Sequence, residues 1–150
     1  MTKDASPLAV GQAYMELHHQ AHRIVERAMT AAGISLGRAK VLIRLSLHGA
    51  MNQATLASHL GFAPRSVTET VDALEREGLV TRSDDPHDRR ARIVELTDSG
   101  REAAEVASAV RKKAMDEIYG VLSPAERAQL VSLLDTVRTN LTQGEIDCGN

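Results

Sequence analysis

Apolar side chains recur every three or four residues over the first third of the chain, which is the spacing of one face of an α-helix. A first helix is predicted from Pro7 to Ala32, with Ser6 as its N-cap and Gly33 just past its end. Its apolar seam consists of Val10, Tyr14, Leu17, Ala21, Ile24 and Ala28. A second helix is predicted from a cap at Ser35 to a stop at Gly49.

Two shorter helical segments follow in the middle of the chain. Asn52 is predicted to cap a helix that ends at Gly61, and Pro64 to begin another that ends before Gly78. The second segment has two distinct faces. Its apolar face, predicted to be buried, carries Val67, Val71 and Leu74. The opposite face, here called the polar stripe, carries Arg65, Thr68, Glu69, Asp72 and Arg76.

The pattern then changes to two short strand-like runs, LVTR at 79–82 and RIVEL at 92–96, joined by the polar, proline-containing SDDPHDRRA. This arrangement predicts a β-hairpin with a long tip. Thr97 with Asp98 is predicted to start a long helix, and a capping box from Ser123 to Glu126 to open the last one. Their stripes are Ala103, Val106, Ala107, Val110, Ala114 and Ile118, and then Leu130, Leu133, Leu134, Val137 and Leu141.

This order of elements predicts a mainly α protein with a small β-hairpin wing. The fold expected is a winged helix-turn-helix with additional helices at both ends of one unit, residues 1–150. Residues 35–97 form the predicted winged lobe, residues 7–32 and 98–142 the dimerisation helices, and residues 143–150 a frayed tail. Long apolar helices outside the lobe favour self-association over a monomeric bundle.

Composition narrows the function. Aromatic residues are only 2% of the chain, so the core must be aliphatic, and the single Cys148 excludes an intrachain disulfide or a cysteine metal cluster. No apolar run approaches the ~18 residues of a membrane span, so a soluble, cytoplasmic protein is expected. There is no glycine-rich phosphate loop, nucleophile elbow or His-Glu-x-x-His spacing, which predicts a protein that is not an enzyme and needs no cofactor.

Positive charge is concentrated at the hairpin tip, although the formal net charge of the chain is -2. PHDRRAR, residues 86–92, holds three arginines and one aspartate, which gives a local charge of +2. A narrow minor groove of DNA attracts inserted arginine, and the tip of such a wing lies beside the recognition helix. Asp88 is interpreted as a carboxylate that holds the Arg90 side chain extended.

DPHDRRARIVELTDSG resembles the wing signature of the MarR family of winged-helix transcriptional regulators, an Asp-x-Arg tip followed by Leu-Thr. The matching residues here are Asp88, Arg90, Leu96 and Thr97. SVTETVDALEREGLVTR is similar to the recognition helix and following strand of that family. The resemblance implies a homodimer on a pseudo-palindromic double-stranded DNA operator. It also implies a pocket for a small effector between the dimerisation helices and the DNA-binding lobe.

On this resemblance, the expected base-reading residues are Arg65, Ser66, Thr68 and Glu69, and Arg90 enters the minor groove. The expected phosphate contacts are Arg76, Arg82 and Arg89. Glu69 departs from the family pattern, in which many members carry Arg or another non-acidic residue; its carboxylate can accept from cytosine N4 but repels phosphate. The function expected is a repressor released by a small aromatic or amphipathic anion.

Two alternatives remain open. His18 and His22 lie one turn apart on the first helix with Glu26 beyond them, a spacing suited to a metal-sensing regulator. We favour the interpretation in which both histidines border the effector pocket with Tyr14, and no metal site is assigned. The second alternative is a winged-helix protein-interaction module without DNA binding, for which Glu69 and the acidic balance are the support.

Overall fold

A computed structural model of the chain describes the backbone of residues 5–147 and the side chains of residues 5–142. Within these residues the chain forms six helices and a three-stranded sheet. In order they are α1 (Pro7–Ala31), α2 (Leu36–His48), β1 (Met51–Asn52), α3 (Gln53–Leu60), α4 (Pro64–Arg76), β2 (Val80–Asp84), β3 (Arg92–Leu96), α5 (Asp98–Tyr119) and α6 (Pro124–Asp147). Cys148 and the end of the predicted tail, residues 148–150, lie outside the described residues.

Side-chain caps begin three of the helices as predicted. The Ser6 hydroxyl accepts a hydrogen bond from the Ala9 backbone N–H at 3.2 Å, and Ser35 does the same for α2. The Asn52 side chain accepts from the Thr55 N–H at 2.8 Å and begins α3. Each cap satisfies a donor that the first turn of a helix leaves without a partner, so these bonds define where the helices begin.

Glycines end the helices of the central lobe. Gly61 has a φ of 64° and occupies the left-handed region just after α3, which lets the chain turn toward α4. Gly78 has a φ of 73° and follows α4 before the chain enters β2. A side chain at either position would strain the backbone, because L residues rarely adopt this conformation.

The sheet contains the predicted hairpin and one strand that the sequence analysis missed. β2 and β3 pair antiparallel from Val80 opposite Leu96 to Asp84 opposite Arg92. β1 adds Met51 opposite Val94, which gives the strand order β1-β3-β2. Two residues are too few to show the alternation by which strands are recognised, so the missed strand has a simple cause.

The core of the lobe is aliphatic and joins α2, α3, α4 and the sheet. The predicted face of α4, Val67, Val71 and Leu74, is fully buried. The remaining buried members are Val41, Leu42, Leu45, Leu56, Ala57, Val80, Val94, Leu96 and Ala104. A second cluster of Met29, Ala39, Ile43 and Ala107 joins α1, α2 and α5.

The last two helices differ from expectation in detail. Val106, predicted for the stripe of α5, is 56% exposed, and the neighbouring Ala104 is fully buried in its place. The capping box of α6 is confirmed, because the Ser123 N–H donates to Glu126 and the Glu126 N–H donates to the Ser123 hydroxyl. α6 is helical through Asp147, whereas a frayed tail was predicted from residue 143.

The chain divides into two compact units, with the boundary between Ala114 and Met115. The first unit holds α1 to α4, the sheet and most of α5, and the second holds α6. This boundary falls within α5, and the division into a winged lobe at 35–97 and flanking dimerisation helices stays a prediction. Among the described residues, no helix is long and apolar enough to cross a membrane.

Candidate functional site

The exposed face of α4 carries the predicted base-reading residues. Every member of the polar stripe is exposed, and the stripe lies opposite the buried face of the same helix. Ser66 is also exposed. At the start of the helix, Ala63 supplies no side-chain cap and Pro64 follows it, so the first-turn N–H groups remain available to an anion such as a phosphate.

Arg65 and Glu69 form an ion pair along the outer edge of this face. The Arg65 Nε donates to Glu69 Oε1 at 2.9 Å, and the two residues are one helical turn apart. The Arg65 side chain is 90% exposed and the Glu69 side chain 64%. The acidic residue that departs from the family pattern is therefore partnered within the same helix.

Thr68 connects α4 to α3. Its hydroxyl donates to the Pro64 carbonyl at 3.1 Å and accepts from Gln53 Nε2 at 3.2 Å. Gln53 is the first residue of α3, so the bond joins the starts of the two helices of the helix-turn-helix. Thr68 is thereby held in one orientation on the exposed side of α4.

The Arg82 side chain makes contacts within the chain that were not predicted from the sequence. Its guanidinium, only 14% exposed, pairs with Asp72 and with Glu75 at 3.1 Å and also contacts the Thr68 carbonyl. Its Nε is buried and makes no hydrogen bond among the described residues. Arg82 therefore fastens β2 to α4 in this structure, and its expected contact with a phosphate stays a prediction. The sequence did not indicate these ion pairs, because Asp72 and Glu75 lie ten and seven positions before Arg82 and on another element.

The wing, defined here as β2, β3 and residues 85–91 between them, has a tip ordered by two aspartates. The Asp85 carboxylate accepts from the His87 backbone N–H at 2.8 Å, and the Asp88 carboxylate accepts from the Arg90 backbone N–H at 2.9 Å. Asp88 was expected to hold the Arg90 side chain. It instead fixes the backbone, because an aspartate readily accepts from an N–H two residues further on.

The arginines of the tip are presented to solvent. Arg89 and Arg90 are exposed, while Arg92 lies 3.5 Å from Asp84 in an exposed pair. Residues 84–92 hold three arginines and three aspartates, but Asp85 and Asp88 serve the backbone. The side chains of Arg89 and Arg90 are thus positioned to meet an anionic partner.

The base of the wing depends on Thr97, which belongs to the wing signature, and on Gly100, to which no role was assigned from the sequence. The Thr97 hydroxyl donates to the Gly78 carbonyl at 2.6 Å and accepts from the Gly100 N–H at 3.0 Å. A Cβ on Gly100 would lie 1.9 Å from the Leu79 carbonyl oxygen. Close approach of α5 to the start of β2 therefore requires glycine at position 100. A glycine in the first turn of α5, at the end of Asp98-Ser99-Gly100, was the feature of the sequence that could have indicated this close approach.

The predicted pocket residues share one face of α1. Tyr14 stacks on His18 with ring centroids 6.1 Å apart, and His18 lies 6.2 Å from His22. All three are exposed. In the described part of the chain, no three His, Cys, Asp or Glu side chains are grouped closely enough to hold a metal ion. Concavities of about 730 Å³ on α6 and 410 Å³ on α4 are lined by other residues.

The elements and their exposed residues define a winged helix-turn-helix protein, and comparisons with known proteins identify its family. The MarR family model matches residues 34–91. YdgJ of Bacillus subtilis, described as an uncharacterized HTH-type transcriptional regulator, is 32% identical over 113 residues, which cover 75% of this chain and 69% of that protein. The chain belongs to the MarR family and is a transcriptional regulator, not an enzyme.

Solved structures agree with the assignment of the fold. A mutant MarR from E. coli complexed with operator DNA has a TM-score of 0.75 at 23% identity, covering 85% of this chain and 92% of that chain. Bordetella bronchiseptica BpsR has a TM-score of 0.76 at 25% identity, covering 86% of this chain and 98% of that one. The BpsR structure concerns regulation of its DNA binding by 6-hydroxynicotinic acid.

Proposed function

We propose that the chain is a homodimeric repressor that binds a pseudo-palindromic double-stranded operator and releases it when a small effector binds. The observation that carries the proposal is the polar stripe of α4, exposed opposite a fully buried face and next to an arginine-bearing wing. A helix presented in this way fits the major groove, and a wing beside it reaches the adjacent minor groove.

The residues divide into three roles in this proposal. Base edges are read by Arg65, Ser66, Thr68 and Glu69, all on the first half of α4. Arg90 enters the minor groove from the wing tip, and Arg76 and Arg89 contact phosphates. Arg82, the third phosphate contact, must first leave Asp72 and Glu75, which hold it in this structure. The DNA-bound E. coli MarR supports this placement of the fold on an operator.

Exposed apolar residues at both ends of the chain support the dimer. The first half of α1 exposes Leu8 and Val10, and α6 exposes Leu133, Val137 and Leu141 along much of its length. Exposed apolar residues of this kind on each helix are unfavourable in water and favourable when a second copy covers them. Two lobes related by a two-fold axis then present two α4 helices to half-sites one helical turn apart, roughly 34 Å.

The effector is proposed to be a small aromatic or amphipathic anion bound near Tyr14, His18 and His22. These side chains offer an aromatic ring and imidazole N–H donors on one face of α1, suited to a carboxylate or phenolate. The ligand named for BpsR, 6-hydroxynicotinic acid, belongs to this chemical class. A differential affinity of ~1 to 3 kcal/mol between two lobe spacings is enough for release. The proposal includes a cytoplasmic location, where an operator is reached.

The test is an equilibrium titration of the protein against the duplex spanning its own promoter and against an unrelated duplex, at two salt concentrations. One dimer bound per promoter duplex, with affinity that falls as salt rises, supports the proposal. Arg90→Ala is expected to weaken specific binding by ~1 to 3 kcal/mol and to leave the mass of the dimer in light scattering unchanged. Salt-independent failure to bind either duplex would contradict it and favour a protein-interaction module.

A further inference from the structure

The ion pair between Arg65 and Glu69 contributes little to the free energy of folding. Both side chains are largely exposed, at 90% and 64%, and exposed ion pairs contribute only about 0–1 kcal/mol to folding. The pair lies in the first two turns of α4, on the polar stripe opposite the core. This is the part of a recognition helix that approaches base edges most closely. Its position therefore points to DNA recognition more than to folding.

Glu69 also differs from the other carboxylates on this side of α4. Asp72 and Glu75 are held by Arg82, which anchors them to β2. Glu69 is bonded through Oε1 to a side chain on its own helix, and its second oxygen remains an acceptor. Asp72 and Glu75 thus have a structural partner in the wing, whereas Glu69 and Arg65 are oriented by each other at the exposed surface.

The chemistry of the pair matches one combination of bases. Arginine has five N–H donors, and the Arg65 Nε uses one of them on Glu69, so four remain on the terminal nitrogens. A guanidinium fork recognises guanine O6 and N7, and a carboxylate accepts from the cytosine N4 amino group. Guanine and thymine present acceptors to the major groove, so a carboxylate facing either of them is repelled.

We infer that Arg65 and Glu69 act as one unit that selects a cytosine and a guanine on neighbouring base pairs of each operator half-site. Glu69 accepts from cytosine N4, Arg65 donates to guanine, and the bond between the two side chains fixes their spacing. Because its carboxylate repels phosphate, Glu69 lowers the affinity for DNA in general but increases the preference for cytosine over other bases. The inference rests on the proposed function, since it assigns bases to the DNA-binding face.

The first experiment selects duplexes from a random-sequence pool with the wild-type protein, with Glu69→Gln and with the control Glu105→Gln. Glu105 is exposed on α5, so its replacement changes the net charge equally without altering α4. The wild type and the control are expected to enrich cytosine next to guanine in each half-site. Glu69→Gln is expected to replace that cytosine with adenine, which a glutamine amide recognises, with about a tenfold change in preference.

The second experiment measures affinity for the selected operator and for an unrelated duplex. Glu69→Gln is expected to weaken operator binding about tenfold. It should bind the unrelated duplex more tightly, because a charge that repels phosphate has been removed. Arg65→Lys, which keeps the charge but loses the planar fork, is expected to weaken the guanine preference, because lysine still donates to guanine but without the fork geometry. This variant tests the same unit independently of Glu69, and circular dichroism establishes that each variant is folded.

Identical enriched sequences for the wild type and Glu69→Gln, both with tight operator binding, would overturn this inference and leave the proposed function standing. Parallel changes of affinity on both duplexes would also overturn it, because they indicate a charge effect without base reading. Failure of the wild type to enrich any sequence would overturn the inference together with the proposed function.

Discussion

The outer face of α4 and the tip of the wing have similar numbers of acidic and basic residues, but their carboxylates have different hydrogen-bond partners. The α4 helix carries Arg65 and Arg76 with Glu69, Asp72 and Glu75, and Arg82 of β2 pairs with the last two of these carboxylates. Residues 84–92 of the wing also hold three arginines and three aspartates. The carboxylates of α4 pair with guanidinium groups of other side chains. In the wing, Asp85 and Asp88 accept backbone N–H groups instead.

This difference decides which cations can reach a ligand. An arginine already bonded to carboxylates, such as Arg82, must break those bonds before it contacts a phosphate. Arg89 and Arg90 belong to a tip whose shape is fixed by its own aspartates, and both are exposed. Equal numbers of charges thus leave Arg65 and Arg82 bonded to carboxylates of α4, and Arg89 and Arg90 exposed at the tip of the wing. Substitutions at Gly100, Arg82, Asp88 and Glu126, each compared with a control or with the wild type, test how carboxylates and close packing are used in the molecule.

The largest effect is expected at the base that both surfaces share. In Gly100→Ala the new methyl group would lie 1.9 Å from the Leu79 carbonyl oxygen, so the backbone must shift where β2 begins. We expect a loss of about 3 kcal/mol in the free energy of unfolding, measured in urea at fixed protomer concentration.

Gly37→Ala is the matched control, because a Cβ there has no neighbour within 4 Å in the described structure. It should leave stability unchanged or raise it by up to about 1 kcal/mol, since alanine favours helix. Equal stabilities for the two variants would show that α5 does not need its close approach to Leu79.

Arg82→Ala is expected to separate the wing from α4. It leaves Asp72 and Glu75 without their common cation, and we expect a loss of about 2 kcal/mol in the free energy of unfolding. Arg92→Ala removes an exposed pair whose atoms are 3.5 Å apart and should cost less than about 0.5 kcal/mol. If both variants unfold at the same urea concentration, the ion pairs of Arg82 contribute no more to stability than the exposed pair of Arg92.

Asp88 distinguishes backbone capping from charge pairing. Asp88→Asn keeps an oxygen that can accept from the Arg90 N–H, whereas Asp88→Ala removes it. On the proposed operator, we expect Asp88→Ala to bind about 1 kcal/mol more weakly and Asp88→Asn to bind as well as the wild type. Equal weakening in the two variants would show that the negative charge, and not the cap, is what the tip needs.

The smallest effect is expected for Glu126, a third carboxylate that serves the backbone. The backbone N–H of Ser123, and then its side chain, hold the pKa of Glu126 below its ordinary value of 4.5. A lowered folded-state pKa means that the stabilisation is present above pH 4.5 and is lost as the pH falls through the lower value. Urea unfolding at neutral pH and below pH 4.5 should therefore show a smaller pH effect in Glu126→Gln than in the wild type. An identical pH effect in the two proteins would show that ionisation of Glu126 does not contribute to the stability of α6.

The helices could be predicted because their limits are encoded locally. Ser6, Ser35 and Asn52 lie where their hydroxyl or amide groups cap a first turn, and the Ser123–Glu126 box reads the same way. The buried face of α4 follows from periodicity alone. Exposure of the polar stripe follows from the same pattern, so the candidate site on α4 was visible in the sequence.

What could not be predicted depends on partners distant along the chain. β1 exists because Met51 finds Val94, and Arg82 is held by residues of a preceding helix. The exposure of Val106 and the burial of Ala104 depend on how α5 is rotated against the lobe core. Asp88 was assigned the wrong partner because charge suggested a side chain, whereas the turn offered a nearer backbone donor.

The hydroxyl of Thr97 has a mechanical consequence. It joins the Gly78 carbonyl after α4 to the Gly100 N–H in the first turn of α5, while the Thr97 N–H donates to the Leu79 carbonyl at 3.1 Å. These bonds join the segment after α4, the base of the wing and the start of α5 through one residue. We therefore expect a rotation of the first turns of α5 to be transmitted through these bonds to the end of α4 and to the wing.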